Sequence, residues 1–567
     1  MNYDPRITRS KHLRVADFLR FVQTGRLRYY RTLLLLSCAL ALTFGCKHDA
    51  FAAFGFTPVD GGYVIDNGAD LLFTVNARGD IPSCTYKGTQ VCDPRKSSGI
   101  ASGLGASSVN AVLTGNCIVV TCVSASVARS PFTHYYIIQK GVNDIYMADY
   151  VTSEPNIGEL RYIFRALYSV LPHGPPHSDN FGSPGPIESK DIFGHPDGTT
   201  TSKYYGNHQA KDLGVNGATG NGIGLFMAFG SRESSSGGPF YRDIENQEGG
   251  DQEIYNYMNS GHAQLEEHRA NVLYGPYAYV FTDGTTPAVP DFSFVSNLGL
   301  TGYVGAAGRG QVVVAGIKGR SADYAYTVAF SNSTAQYWAT ASPSNGECTC
   351  AGMKPGTYAI TIYKKELGVW TGSVDVAAGN TTKVKAITIT DDPSTVMAIW
   401  RIGDWDGAPL KFENGTLINI MHPSDVRMKT WKPVVYNVGV TPTGEWPAVQ
   451  FREANSPSTI NFTLNAKEAA SAHTFKIGIT DALYNGRPVV AVNGNKLDIP
   501  EASRQSKTRT LTTGSYRGNN TTYTWSIPPA DFVAGNNTIT ITSFGNANEL
   551  STWLCPSFIY DCVELDD

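Results

Sequence analysis

Two arginines, a lysine, a histidine and two tyrosines stand out in a chain of which only 17% is charged. Arg161 and Arg165 lie four apart in Glu159-Leu160-Arg161-Tyr162-Ile163-Phe164-Arg165, so on a strand they project from one face. Tyr255, Tyr257 and Asn259 alternate in the same way along residues 253–259, and His262 follows just past that run. Between the two segments lies Lys203, in Thr200-Thr201-Ser202-Lys203-Tyr204-Tyr205, and Ser234-Ser235-Ser236-Gly237-Gly238-Pro239-Phe240 adds a second polar cluster. The set is weighted towards bases and hydrogen-bond donors: lysine or histidine to move a proton, arginine to hold an anion. Each residue also has an ordinary structural role open to it. A lone histidine is more often structural than catalytic, alternating tyrosines usually pack, and two arginines at this spacing usually line a solvated edge.

The elements that must position these residues are strands. The chain has 567 residues, too many for one ordinary domain, and it is 42% hydrophobic, with 58 Gly, 30 Tyr and 25 Phe. Segments such as Gly62-Tyr63-Val64-Ile65-Asp66 and Thr538-Ile539-Thr540-Ile541-Thr542 alternate between Gly, Asn or Asp turns. A short helix near residues 465–472 is the one exception. Breaks at residues 282–297 and 390–394 divide the chain into a lead (1–52), a large N-terminal domain (53–300), a small immunoglobulin-like or fibronectin-III-like sandwich (301–390) and a jelly roll (391–567). The expected class is all-β. A net charge of -4 gives no electrostatic reason to expect nucleic acid as a partner.

Arg28 and Arg31 precede an apolar run at 33–42, closed by small residues around Ala52 and Ala53. This is the order of a signal peptide, with a signal anchor as the alternative; on cleavage the protein is secreted and keeps no membrane partner. Of ten cysteines, Cys38 and Cys46 lie in the lead. The other eight (Cys84, Cys92, Cys117, Cys122, Cys348, Cys350, Cys555, Cys562) form an even set that favours disulfides in an exported chain, and their spacing is not that of a zinc site. Sequons at Asn332, Asn380, Asn414, Asn461, Asn519, Asn520 and Asn536 fit a glycoprotein.

Residues 234–240, 255–262, Glu154-Pro155-x-Ile157-Gly158-Glu159-Leu160-Arg161 and Tyr274-Gly275-Pro276-Tyr277 resemble the catalytic domain of fungal rhamnogalacturonan lyases of polysaccharide lyase family 4. The resemblance continues through residues 353–358, Ile402-Gly403-Asp404-Trp405-Asp406-Gly407 and Met421-His422-Pro423-Ser424-Asp425-x-Arg427-Met428 to Pro556-x-Phe558-Ile559-x-Asp561-Cys562. It implies a large catalytic β-sandwich, a fibronectin-III-like unit and a jelly roll similar to carbohydrate-binding modules. It further implies Lys203 as base, His262 as proton donor, and Arg161, Arg165, Tyr255 and Tyr257 as substrate contacts. The implied substrate is rhamnogalacturonan I, acted on by a monomer without a required cofactor or catalytic metal; a structural calcium in the jelly roll stays open. The chain departs from the pattern in its long lead, and Cys84 and Cys92 fall outside the place expected for the family's partner of Cys122.

The implied chemistry suits these residue types. Splitting a uronate by β-elimination removes the C5 proton and expels the oxygen on C4. The adjacent carboxylate is already negative, so a cation must relieve the charge that builds on it. Two alternatives remain at this point. A glycoside hydrolase needs paired carboxylates, and Asp243, Glu253, Glu266 and Glu267 form no recognisable pair. A non-catalytic sugar-binding protein needs only the aromatics and the jelly roll.

Overall fold

The computed structural model describes residues 53–567 except 101–103, 107, 125–131, 154–158, 176–179, 189–190, 204–207, 249, 262–263, 507–517 and 547–552. Residues Phe54–Asp567 form one compact unit. Nearly all of its regular structure is strand, as the alternating sequence requires. The short α-helix Ala466–Ala469 falls within the segment read as helical. Asn465 caps it by accepting from the Lys467 and Glu468 amides while the Glu468 side chain returns to the Asn465 amide.

The N-terminal third packs a seven-stranded antiparallel sheet against a four-stranded one. The seven run Val215–Gly220, Ile223–Phe229, Val272–Thr282, Asp144–Val151, Phe132–Gln139, Cys117–Ser124 and Ser108–Thr114 in spatial order. The four run Asn246–Glu248, Gln252–Ser260, Glu159–Ala166 and Gly99–Ile100. One face of each sheet supplies the core between them: Ile118, Val120, Tyr136, Met147, Leu225 and Tyr279 from the larger, and Leu160, Tyr162, Phe164, Ile254 and Met258 from the smaller. Tyrosine in such a core must find a partner for its hydroxyl. Tyr136 donates to the Gly79 carbonyl at 2.8 Å, Tyr277 to Asp149 at 2.7 Å and Tyr279 to the Ile254 carbonyl at 2.7 Å.

The middle third is a small sandwich. Gly310–Val314 lies between Cys348–Met353 and Thr381–Val384, and the four strands Gln336–Thr340, Tyr326–Ser331, Gly356–Lys364 and Leu367–Val376 form the other sheet. The C-terminal third pairs Ala398–Gly403, Ser557–Asp566, His473–Leu483 and Thr521–Ile527 opposite Val435–Asn437, Ser458–Leu464, Gly535–Phe544, Arg487–Val492 and Asn495–Lys496. Polar contacts join the thirds. Arg242 makes a two-pronged bond to Glu366 at 2.7 and 2.9 Å with both side chains buried, Glu233 takes Arg309 and Lys354, and Lys365 reaches Asp406 at 2.6 Å. Between Ala398–Gly403 and Val435–Asn437 the chain makes no strand. It wraps back across the unit, with Phe412, Ile418, Met421 and Met428 anchoring it in the C-terminal core.

The expected disulfides are a point of difference: all eight cysteines outside the lead are buried free thiols in this structure. Strand parity explains part of it. Cys117 and Cys122 are five apart on one strand and enter opposite layers, while Cys555 and Cys562 belong to different cores. Burial pushes the Cys348 thiol up to about 11 and Cys350 to about 12, which disfavours the reactive thiolate. Among the sequons, Asn380 and Asn536 are exposed, whereas Asn414 is buried with its amide bonded to the Lys429 backbone at both ends.

Candidate active site

The outer face of the four-stranded sheet carries the arginines and tyrosines. Glu159–Ala166 pairs antiparallel with Gln252–Ser260, placing Arg161 opposite Tyr257, Ile163 opposite Tyr255 and Arg165 opposite Glu253. Because Leu160, Tyr162 and Phe164 point into the core, Arg161, Ile163 and Arg165 must share the other side. A bulge between Leu160 and Arg161 interrupts the register just before the first arginine. Tyr255 and Tyr257 stack there with ring centroids 5.7 Å apart, and Ile163, Ala210, Tyr241 and Ile244 pack beside them.

The two arginines are held differently. Arg161 donates to the Tyr257 hydroxyl and lies 2.6 Å from the Glu159 carboxylate, yet its Nε–H is buried with no hydrogen-bond partner among the described residues. Burial works against its charge, but Tyr257 and Glu159 outweigh that and hold the guanidinium above its ordinary value. Arg165 is spent on neighbours: Nε donates to Glu253 at 3.0 Å and Nη1 to the Ser97 carbonyl at 2.7 Å. Glu253 also accepts from Tyr255, tying the second tyrosine to the second arginine. Burial lifts both tyrosine hydroxyls well above the usual range, so they remain donors at any working pH.

Further ionisable groups crowd this face. Tyr241 donates to Asp243 at 3.0 Å, and His208, half exposed, lies 2.8 Å from Glu245, whose carboxylate raises the imidazole above its ordinary value. Both belong to a small cavity lined also by Tyr255, Tyr257 and Arg232. Desolvation by its surroundings, with the Phe229 ring 3.7 Å away, brings the Arg232 guanidinium down to about 10.

Lys203 stands on a separate element. Pro186–Glu188, Ile192–Gly194 and Thr200–Ser202 form a three-stranded sheet, and Lys203 is the residue after its last strand. Its amide donates to the Asp191 carbonyl at 3.1 Å and its Nζ lies 3.4 Å from the Asp191 carboxylate, with 19% of the side chain exposed. Segment 421–427 of the C-terminal third grips this sheet from outside. Thr200 donates to Asp425, and His422 lies 3.0 Å from Glu188.

The sequence of the whole chain has close counterparts. Residues 54–302 match the family model of the rhamnogalacturonan lyase B N-terminal domain, and 308–384 and 398–565 match domains II and III of polysaccharide lyase family 4. A probable rhamnogalacturonate lyase A of Aspergillus clavatus is 40% identical over 95% of this chain and 99% of its own. The rhamnogalacturonate lyase A of Aspergillus aculeatus is 39% identical over 91% of this chain and 97% of its own. The chain belongs to polysaccharide lyase family 4.

Within this family-4 chain the structure gathers four of the six residues singled out from sequence: Arg161, Arg165, Tyr255 and Tyr257 share one face. Lys203 is on the separate three-stranded sheet with Asp191 as its ionic partner, and His262 lies outside the described residues, directly after the strand Gln252–Ser260 and Gly261. Sequence reasoning missed Glu159 as partner of Arg161, Glu253 as partner of Arg165, His208 with Glu245, and Asp191. Glu159 and Glu253 carried a signal, since each is two residues from Arg161 or Tyr255 and so on the same face. Asp191 and the grip of Asp425 carried none. Among the described residues no group of three or more His, Cys, Asp or Glu side chains gathers as a metal site.

Proposed function

We propose that the protein is a rhamnogalacturonan lyase that cleaves the rhamnose–galacturonate α-1,4 bonds of rhamnogalacturonan I by β-elimination, leaving an unsaturated uronate at the new non-reducing end. The observation that carries this reading is similarity running unbroken through all three domains to enzymes named rhamnogalacturonate lyase A. The polysaccharide lies outside the cell, which agrees with the leader-like segment at residues 28–53 serving export.

In this reading the uronate carboxylate is met by the exposed part of the Arg161 side chain, with Arg165 adding charge from the Glu253 side of the same face. A bidentate guanidinium contact stabilises the carboxylate as charge develops on it during loss of the C5 proton. Lys203 takes that proton. Its ammonium faces the Asp191 carboxylate at 3.4 Å, so Lys203 must part from Asp191 and give up its own proton before it acts as a base. His262 delivers a proton to the departing C4 oxygen, and Tyr255 and Tyr257 flank the sugar. No metal or cofactor is required by these roles.

Incubating the purified protein with debranched rhamnogalacturonan and following near-ultraviolet absorbance tests the reaction type. New absorbance from unsaturated ends is expected. Bond cleavage without it would replace elimination with hydrolysis, and binding without cleavage would leave a sugar-binding protein.

A further inference from the structure

The small sheet that ends at Lys203 has strands of only three residues. Strands this short have little stability of their own and take their placement from whatever holds them. Part of the grip is local: Thr201 donates to Asn180 at 3.0 Å and Ser183 to the Gly194 carbonyl at 2.9 Å. The larger part comes from the C-terminal domain. The Thr200 amide and hydroxyl both donate to Asp425 Oδ2 at 2.7 Å, the His422 amide donates to the Thr200 hydroxyl at 3.1 Å, and Arg427 Nη2 donates to the Thr200 carbonyl at 3.0 Å. Every polar atom of Thr200 is thereby taken by one segment more than two hundred residues away in sequence.

That segment is itself rigid. Arg427 donates to Asp425 through its amide at 2.9 Å, Nε at 2.8 Å and Nη2 at 2.7 Å. The Ser424 amide donates to His422 Nδ1 at 3.1 Å, which leaves Nε2–H to donate to Glu188 Oε2 at 3.0 Å on the far strand of the sheet. The Val426 amide adds a bond to the Gly198 carbonyl at 3.2 Å. The sheet is clamped at its first and last strands, and Lys203 begins three residues beyond the clamp.

We propose that Asp425, with Thr200, His422 and Arg427, positions Lys203, making the C-terminal domain part of the catalytic apparatus and not only an appended sugar-binding module. The proposal rests on Lys203 being the base. Asp425 is a positioning residue: it acts on turnover by fixing the strand from which the lysine reaches C5. A displacement of about 1 Å at a reacting group costs on the order of 100-fold in rate.

The test uses the full chain carrying Thr200→Val, which keeps the side-chain volume, and Asp425→Asn, which keeps the shape, each alone and combined with Lys203→Ala. Single variants should lose roughly 10- to 100-fold in kcat with KM within about twofold. In the Lys203→Ala background the same substitutions should leave the residual rate unchanged, because a group acting through Lys203 has nothing left to act through. Additive losses in the double variants, or a raised KM with kcat retained, overturn the positioning role. A kcat loss that tracks loss of the cooperative unfolding transition in both variants also overturns it, since that marks a merely structural contact. Failure of the underlying reading looks different: Lys203→Ala would itself turn over at the wild-type rate. A disabled Lys203→Ala beside normal Thr200→Val and Asp425→Asn leaves the base standing and removes only the clamp.

Discussion

The arginine–tyrosine face and the lysine sheet are built in opposite ways. The first is the outer surface of a sandwich whose inner surface is the main core. Its side chains are fixed by strand pairing between Glu159–Ala166 and Gln252–Ser260 and by partners on the same or the adjoining strand, Glu159 and Glu253. The second is three strands of three residues each, and its strongest bonds come from residues 422–427. Charge stabilisation needs a stiff array of donors, and a large sheet supplies it locally. In the proposed mechanism a lysine that must reach a carbon acid needs placement more than shielding, and the bonds proposed to supply it come from residues 422–427 of another domain.

Four measurements bear on this contrast. The largest expected effect is on the joint between the first and middle thirds. Arg242→Ala leaves Glu366 buried without its two-pronged partner, a loss on the order of 3–5 kcal/mol that denaturant unfolding should register. An unchanged midpoint would show that the arginine–tyrosine lobe stands without the middle domain. Next comes Arg161→Gln, expected to cost about 2–4 kcal/mol in barrier, read from initial rates of unsaturated-end formation, with the fold intact. Equal losses from Arg165→Gln would contradict the distinction drawn between the two arginines.

The third concerns acid. Burial acts to raise the Asp425 carboxyl, but the bonds from Arg427 and Thr200 outweigh it and hold it down at about 2, below its ordinary 3.8. A depressed carboxylate contributes stability that is complete above the ordinary value and is lost as pH falls from about 3.8 towards about 2. The wild-type melting temperature should therefore fall more steeply across that window than that of Asp425→Asn. Parallel curves would mean that the clamp contributes no charge-dependent stability. The smallest effect is a control outside both regions: Asn465→Ala removes the helix cap and should cost roughly 1 kcal/mol in stability without touching turnover.

Much of the site was legible because a strand has a period of two. Once residues 159–166 and 253–259 are read as strands, alternation sorts Arg161 and Arg165 from Tyr162 and Phe164, and Tyr255 and Tyr257 from Ile254 and Met258; the structure bears out that sorting. The same rule, carried further, reaches Glu159 and Glu253, which share those faces. Asp191 escaped because no periodicity links it to Lys203; a tight turn and a strand pairing bring them together.

By itself the sequence determined the all-β class, the three-part order of the chain, the capped helix at Asn465 and the face on which the arginines and tyrosines stand. These follow from local rules of alternation, turn chemistry and capping, which act over a few residues. Only tertiary structure decided which residues hold those groups in place. Nothing local marks Asp425 as the partner of Thr200, or Glu366 as the partner of Arg242. Nor does anything local send Cys555 and Cys562 into separate cores. Contacts of that separation are chosen by the packing of whole sheets, where burying a polar atom without a partner is costly and the available partner can lie anywhere along the chain.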